Sequence, residues 1–144
     1  WPVIRYTDVL LMLAEAQGNT TSSWAMINLV HKRATGETLT PDTGNVAVFE
    51  KALADERRWE LAFENQRFFD LLRFETTLTT IKAEATLDQH FAYMYPIYYT
   101  TYTEPKLTLE QIQANTNPDK FLLPIPQYEI DTNSYIVIPQ NPGY

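Results

Sequence analysis

The sequence is poor in several residue types that chemistry commonly relies on. It has no cysteine, which excludes disulfides, thiolate metal sites and a cysteine nucleophile. Only 4 of 144 residues are glycine, and none belongs to a Gly-rich phosphate-binding loop. There is no run of about 18 apolar residues, so we expect no part of this sequence to cross a membrane. Positive charge is also scarce, with 11 Lys and Arg against 18 Asp and Glu and a net charge of -7. That balance argues against binding nucleic acid or an anionic membrane surface through charge.

Motifs of catalytic or metal sites are missing too. The chain has no nucleophile elbow and no zinc-binding helix motif. His31 has no second ligand at helical metal spacing, so we expect it to hydrogen-bond to a carbonyl or carboxylate at the edge of the core rather than to hold a metal or carry protons. His90, close to Asp88, is typical of a solvated turn. We therefore predict no catalytic residue, no metal and no cofactor.

The residues that are present predict a mainly α-helical domain. Apolar residues make up 44% of the chain and charged residues 20%, which are globular values. A helix from Tyr6 to about Gln17 is apolar nearly all round, which predicts burial between neighbours, and Gly18-Asn19 ends it. A second helix, capped by Ser22 or Ser23, runs to Thr35 and is closed by Gly36. The two form an antiparallel pair with spacing similar to a helical-hairpin repeat.

The stretch from Phe49 to Phe74 predicts a second helix pair. The first helix runs to about Glu64, a tight turn follows near Asn65-Gln66, and the next helix spans about Arg67 to Ile81. On a helical wheel, Glu56 and Glu60 fall within the apolar arc. The apolar members of that arc are Phe49, Ala52, Leu53, Trp59 and Phe63.

A carboxylate on a buried face costs several kcal/mol unless it is paired and hydrogen-bonded. Arginine suits that pairing because its planar fork binds a carboxylate through two bonds. We therefore predict a structural ion network in which Glu60 pairs with Arg67 and Asp70 pairs with arginines on its own helix. The predicted members are Glu56, Glu60, Arg67 and Arg73, with Arg5 and Arg33 as further candidates. The alternative is a general acid/base pair, which arginine neighbours disfavour because they lower carboxylate pKa values.

The segment His90–Tyr102 is the one concentration of aromatic residues outside the helices. Its alternation predicts strand, and Pro96 restricts it to edge strands or an ordered loop. Aromatic rings stack on the flat C–H faces of sugars, so the segment is a plausible glycan platform. The candidate ring positions are Tyr98, Tyr99 and Tyr102. The alternative is that these tyrosines only pack the segment onto the helices.

The last part of the chain predicts a short helix and a strap. The short helix spans about Leu107–Ala114 and is capped by Thr108. From Phe121 onward the tail is Pro-rich and extended, with one helical turn at Gln127–Ile130, and Ile136 to Ile138 should lie against the body. We expect a single domain made of helix pairs (1–83), an irregular aromatic-rich insert (84–120) and an extended tail (121–144).

Three motifs in order resemble the SusD-like (RagB/SusD) glycan-binding proteins. The opening WPVIRYTDVLLMLAEA resembles that family's P-x-x-R-Y-A-D-V-L-L-M-x-A-E-A helix. The segment ERRWELAFENQRFFDLLRF resembles its ERR-ELAFE-xx-R-FDL-R signature, and LPIPQYEI followed by QNPGY resembles its C-terminal end. Asn65 stands where the family usually has Gly, and Thr7 where it usually has Ala. Asn tolerates the left-handed conformation, so the turn should survive.

The resemblance implies a tetratricopeptide-like helical scaffold from the C-terminal portion of a longer protein. It also implies a surface-exposed outer-membrane lipoprotein whose lipid anchor lies outside this sequence. Such a protein binds oligosaccharide without cleaving it and passes it to a SusC-like TonB-dependent transporter. No glycan-contacting residue can be carried over by motif. The alternatives are a helical-repeat module that only docks protein partners, and a glycoside hydrolase, which would need a carboxylate pair outside an arginine cage.

Overall fold

The computed structural model describes residues 4–99 and 107–144 as a helical chain in two compact units, Trp1–Lys82 and Ala83–Tyr144. No strand occurs within those described ranges, so the predicted mainly α fold is confirmed. No described helix is both long enough and apolar enough to span a bilayer. The first unit contains α1 (Tyr6–Gln17), α2 (Thr21–Thr35), α3 (Val46–Glu60) and α4 (Arg67–Thr77). The second contains α5 (Ala83–Tyr98), α6 (Leu109–Gln113), a 3-10 turn (Pro118–Lys120) and α7 (Gln127–Thr132).

Helices α1 and α2 form the predicted pair, and glycine ends each of them. Gly18 and Gly36 have φ values of 66° and 82°, a left-handed backbone that favours residues without a Cβ. The cap of α2 differs from the prediction. Thr20 is the N-cap, and its hydroxyl accepts the Ser23 backbone N–H at 3.1 Å. Ser23 is thus the N3 partner of the cap rather than the cap itself.

The core of the first unit lies where α1, α2 and α3 meet. Trp24 and Phe49 pack edge to face there, with ring centroids 5.8 Å apart. The expectation that α1 is buried all round is wrong. Leu11 and Ala14 are fully buried, but the other flank of the helix is 40–43% exposed, because α2 and α3 cover only one side. The exposed residues on that flank are Val9, Met12 and Leu13.

The α3–α4 connection begins earlier than predicted. Helix α3 ends at Glu60, and the turn contains Phe63 and Asn65, with φ values of 66° and 60°. Asn65 therefore adopts the left-handed conformation expected of it. Two left-handed residues cannot continue a right-handed helix, which explains the early end. Phe63 is consequently fully exposed, contrary to its place in the predicted apolar arc.

Trp59 is also outside the core, at 61% exposure. At about 100° per residue, Trp59 lies roughly 80° to one side of Phe49, at the edge of the arc assumed from sequence. The buried face lies on the other side of Phe49, where it includes Glu50, Ala54 and Arg57. The predicted wheel was therefore rotated, and polar residues occupy much of the buried face.

The aromatic segment is helical from His90 to Tyr98, so the strand prediction is wrong there, while residues 100–102 lie outside the described residues. Helix α5 runs through Pro96 to Tyr98, and the Tyr99 backbone N–H still bonds to the Tyr95 carbonyl at 2.9 Å. The helix-forming run that starts at Ala83 precedes the aromatics, and a proline near the helix end removes only one backbone bond. The alternating pattern also contains a helical one, since Phe91, Tyr95 and Tyr99 are spaced i, i+4, i+8.

The second unit packs α5 against α6. Thr108 caps α6 as predicted and forms a capping box with Gln111. Helix α7 extends two residues beyond the predicted turn. The expectation that the apolar residues near the end lie against the body is wrong for Ile136 and Val137, which are 63% and 96% exposed.

Candidate functional site

Glu60 is held by two of the candidate arginines, Arg5 and Arg33, and not by Arg67, its predicted partner. Arg5 Nη1 donates to Glu60 Oε1 at 2.7 Å, and Arg33 Nη2 donates to Oε2 at 2.5 Å. Arg5 also binds the Glu60 carbonyl at 2.7 Å and the Glu64 carboxylate at 2.6 Å. Burial alone would raise the pKa of Glu60, but the arginines outweigh it, and the pKa is lowered.

Arg67 turns away from this cluster. Its Nη1 donates to the Ala54 carbonyl at 3.3 Å, and it forms no ion pair with Glu60. Burial lowers the pKa of the Arg67 guanidinium, and the nearby positive charge of Arg58 adds to that shift. The predicted Glu60–Arg67 pair is therefore wrong, although both residues lie at the same helix junction.

Glu56 pairs with a histidine instead of the expected arginine. His31 Nδ1 lies 2.8 Å from Glu56 Oε2, and their side chains are 12% and 3% exposed. The interpretation of His31 as a histidine at the edge of the core, bonded to a carboxylate, is confirmed. The Glu56 carboxylate is thus hydrogen-bonded to His31 where α2 packs against α3.

Among the cations of the described residues, Arg57 is the most buried, and it was not among the predicted members of the network. Its side chain is only 3% exposed. It donates to Asp8 Oδ1 at 2.8 Å and approaches both Asp70 oxygens at 2.9 Å. Arg73 completes the network through Asp70 at 2.9 Å and through Glu15. Burial would lower the pKa of Arg73, but these two carboxylates raise it. The local Arg73–Asp70 pair is as predicted.

A signal for this network was present in α1. Asp8 and Glu15 form the single polar strip of an otherwise apolar helix. Burying two carboxylates costs free energy unless cations face them. The structure places Arg57 and Arg73 against that strip, which ties α3 and α4 to α1. Arg57 was missed because the predicted apolar arc was rotated, whereas the observed buried face of α3 includes Arg57 and leaves Arg58 exposed.

Glu50 forms a second buried site that the sequence analysis missed. Each of its carboxylate oxygens accepts one backbone N–H and one hydroxyl from the loop after α4. Oε1 accepts both bonds from Thr79 at 2.8 Å, and Oε2 accepts bonds of 2.6 and 2.5 Å from Thr80. Burial would raise the pKa of Glu50, but these four donors lower it. From sequence alone, the threonines between Thr76 and Thr80 indicate only a weak helix end, and only the contact with Glu50 shows Thr79 and Thr80 as donors.

The contacts of these buried carboxylates suit a structural role rather than acid or base catalysis. Donors of hydrogen bonds or ion pairs occupy Glu50, Glu56 and Glu60, and the pKa values of Glu50 and Glu60 move away from those of a general acid. Within residues 4–99 and 107–144, no group of three His, Asp or Glu side chains could hold a metal ion. What the network can do is fix the relative positions of α1, α2, α3 and α4.

The candidate ring positions lie at the end of α5. The side chains of Tyr98 and Tyr99 are 53% and 37% exposed. Tyr95 stacks on Tyr99 with ring centroids 5.4 Å apart and an interplanar angle of 6°. The Tyr95 hydroxyl donates to the Leu107 carbonyl at 3.2 Å, which fixes the inner ring of the stack. Tyr102, the third candidate, lies outside the described residues.

A comparison with known protein families gives the same assignment as the motifs and the helical fold. A model described as the SusD family matches residues 1–144, the whole of this sequence. The chain belongs to the SusD family.

A curated relative gives the same assignment. The chain is similar to "SusD-like protein P25" of Formosa agariphila, with 27% identity over 140 residues. The match covers 94% of this chain but only 23% of that relative. The chain thus spans about a quarter of the length of the relative it matches. No solved structure matches it.

Proposed function

We propose that this chain is the helical C-terminal part of a glycan-binding protein that serves nutrient uptake at the outer membrane. Membership of the SusD family supports this proposal. In it, residues 1–83 are the scaffold, residues 84–120 carry recognition, and residues 121–144 form the tail. The whole protein is a surface-exposed lipoprotein with its anchor outside this sequence, and it passes oligosaccharide to a SusC-like TonB-dependent transporter.

The observation that carries glycan binding is the tyrosine pair at the end of α5. The stacked and hydroxyl-anchored Tyr95 supports Tyr99 from behind, so the Tyr99 ring is held in place before a ligand arrives. A fixed, partly exposed ring loses little conformational entropy when a sugar face stacks on it. Tyr98, the residue before Tyr99, is 53% exposed. Aromatic faces combined with hydroxyls suit a ligand that is apolar on its ring faces and polar at its edges.

The buried ion network supports binding without cleavage. Retaining and inverting glycosidases need one carboxyl group with a raised pKa and a second that is free to act as nucleophile or base. Glu60 has a lowered pKa, and both of its oxygens are held by arginines. Turnover of a labelled oligosaccharide tests this point, and released product that disappears in Glu60→Gln would overturn it.

Single alanine substitutions test the platform. We expect Tyr98→Ala, Tyr99→Ala or Tyr102→Ala to weaken oligosaccharide binding about tenfold, since a stacking ring contributes about 1.5 kcal/mol. Isothermal calorimetry, with a glycan array to find the ligand, gives the affinity. Tyr128→Ala is the control, because Tyr128 is 72% exposed on α7 and has no place in the platform. Unchanged affinity in all three platform variants would end the proposal for these residues.

A second candidate function is a helical-repeat module that docks protein partners without binding glycan. Trp59 and Phe63 favour it, because two large aromatic side chains at the α3–α4 junction are 61% and fully exposed. Exposed aromatic residues are enriched at protein interfaces. A glycan array without any binding, together with loss of a transporter complex in Trp59→Ala, would favour this candidate over the first.

A further inference from the structure

The start of α6 contacts the tyrosine stack through one backbone carbonyl. The Leu107 carbonyl accepts the Tyr95 hydroxyl at 3.2 Å, and Tyr95 stacks on Tyr99 with an interplanar angle of 6°. The Leu107 side chain is 56% exposed, so burial does not fix the position of its carbonyl. Other bonds must hold that carbonyl if the Tyr95 hydroxyl is to keep its acceptor.

The capping box of α6 supplies those bonds. The Thr108 hydroxyl accepts the Gln111 backbone N–H at 3.2 Å, and the Gln111 side-chain oxygen accepts the Thr108 backbone N–H at 2.8 Å. The Thr108 N–H and the Leu107 carbonyl belong to the same rigid peptide plane. Holding one of them therefore fixes the direction of the other, and the box aims the acceptor that Tyr95 uses.

Bonds beyond the other end of α6 tie it to α5 separately. The Thr116 hydroxyl donates to Asp88 Oδ1 at 2.5 Å, and the Gln113 side-chain amide donates to the Asp88 carbonyl at 3.3 Å. Thr116 is 3% exposed, so this contact is part of the packed interface. Asp88 precedes Tyr95 by about 10 Å along α5, too far to touch the stack. The two sets of bonds can thus be removed one at a time.

We propose that Thr108 and Gln111 are positioning residues for the glycan platform, an assignment that rests on the function proposed above for that platform. Their capping box aims the Leu107 carbonyl, the carbonyl holds Tyr95, and the Tyr95 ring keeps Tyr99 in one plane. A ring that is held before binding loses less conformational freedom when a sugar face stacks on it. Loss of the box therefore weakens binding without removing a group that contacts the ligand.

The first experiment follows the Tyr99 ring without any ligand. A 3-fluorotyrosine replaces Tyr99 in the full-length protein, and its fluorine resonance reports how closely the Tyr95 ring covers it. We expect Thr108→Ala to move this resonance toward its position in the urea-unfolded protein. Thr108→Ser keeps a hydroxyl cap and should leave the resonance near its wild-type position.

Thr116→Val is the matched control for stability. It removes a buried hydrogen bond beyond the other end of α6 and leaves the capping box intact, so it should lower the unfolding midpoint without moving the Tyr99 resonance. An unmoved resonance in Thr108→Ala overturns the proposal. So does an equal movement in Thr116→Val, because the box would then act only through the stability of the unit.

The second experiment measures affinity by calorimetry, with the array oligosaccharide whose binding Tyr99→Ala weakens as the probe. Thr108→Ala should weaken binding about fivefold, because the ring must then be ordered on binding. Thr108→Ser should restore most of that loss, and Thr116→Val should change affinity less than about twofold. If no array glycan depends on Tyr99 while its resonance still follows the capping box, the platform is refuted and the positioning is not.

A double-mutant cycle tests whether the capping box acts through Tyr95. Tyr95→Phe keeps the stacked ring and removes the hydroxyl, so it breaks the bond that the box serves. The affinity loss of Thr108→Ala combined with Tyr95→Phe should not exceed the larger single loss, whereas Thr108→Ala and Tyr98→Ala should be additive. Additive losses for Thr108→Ala and Tyr95→Phe would refute the assignment.

Discussion

Replacing Arg57 with methionine removes the central cation of the first unit. Arg57 links α1 to α4 through Asp8 and Asp70, with nitrogen–oxygen distances of 2.8 to 2.9 Å. Methionine has a similar length and keeps much of the packing, but it donates no hydrogen bond. The substitution therefore leaves two carboxylates facing an apolar side chain. Asp70 retains Arg73 as a partner, whereas Asp8 loses its partner in the Arg57 pair.

The magnitude follows from burial. Breaking a buried ion pair by removing one partner costs about 3–5 kcal/mol, because the remaining charge is left uncompensated. Arg57 and Asp70 are 3% and 5% exposed, which places the pair in that class, while Asp8 at 14% is slightly more accessible to water. We expect Arg57→Met to lower the free energy of unfolding by about 3 kcal/mol, a large part of the roughly 5–15 kcal/mol that stabilises a domain.

Urea unfolding followed by circular dichroism measures this loss at pH 7. Arg58→Met is the matched control, since Arg58 is exposed on the same helix one residue along. We expect the control to change stability by less than about 0.5 kcal/mol. If the two variants lose the same stability, or if neither loses any, the buried network is not what holds α1 to α4. Unchanged urea m-values are required for the comparison to be valid.

Three further substitutions test other contacts. Glu50→Gln should lower the unfolding free energy at pH 7 by about 2–4 kcal/mol, because its NH2 group replaces one carboxylate oxygen and faces two of the four donors. The folded pKa of Glu50 lies below its ordinary value of 4.5, so its contribution is complete above about pH 4.5 and is lost as the pH falls through the folded pKa; the gap between the two proteins should close in acid. Phe63→Gly should raise the unfolding free energy by about 1 kcal/mol, because glycine relieves the left-handed strain at φ 66°. Gln140→Ala should speed hydrogen exchange at the Ile125 amide about tenfold, because it removes that amide's acceptor.

Each of these tests has a control in the same chain. Glu37→Gln is an exposed substitution that should leave stability and its pH dependence unchanged. Phe63→Ala keeps the strain, so a gain equal to that of Phe63→Gly would show that loss of the ring, not backbone relief, is responsible. Exchange at the Ile112 amide, which bonds to the Thr108 carbonyl, should not respond to Gln140→Ala. A similar acceleration at both amides would mean that the whole unit has loosened.

Local features of the fold were predictable from sequence, and pairings across the fold were not. The bounds of α1 follow from an apolar run closed by Gly18, and the start of α6 follows from Thr108, because each signal lies within one turn of the boundary. By contrast, Arg5 reaches Glu60 across 55 residues of sequence. The sequence does not show which of several nearby carboxylates a long arginine side chain pairs with, because the packing of the helices decides it.

The aromatic segment shows a different limit. The residues from Phe91 to Tyr95 satisfy both a two-residue and a four-residue period, so periodicity alone cannot decide between strand and helix. The helical run that begins at Ala83 decides it, since extending an existing helix adds a bond per residue without a new nucleation cost. That outcome matters for the candidate site. A helix places Tyr95 beneath Tyr99, whereas a strand would have put them on one face about 13 Å apart.

The ion pairs of Glu60 explain why we expect ligand recognition at surface aromatic residues rather than at the buried acids. For Glu60 to act on a substrate, Arg5 and Arg33 would both have to move away, which leaves the buried Glu60 carboxylate without its partners although Arg33 itself is 59% exposed. The lowered pKa of Glu60 agrees with a preference for the ionised, paired form. A ring such as Tyr99 needs no such rearrangement, because its outer part already meets water and its inner face already rests on another ring. Ligand contact at α5 therefore leaves the ion pairs intact. Binding at Glu60 would require breaking them first, so a glycan ligand that perturbs the Arg5 or Arg33 side-chain resonances more strongly than those of Tyr98 and Tyr99 would contradict this order.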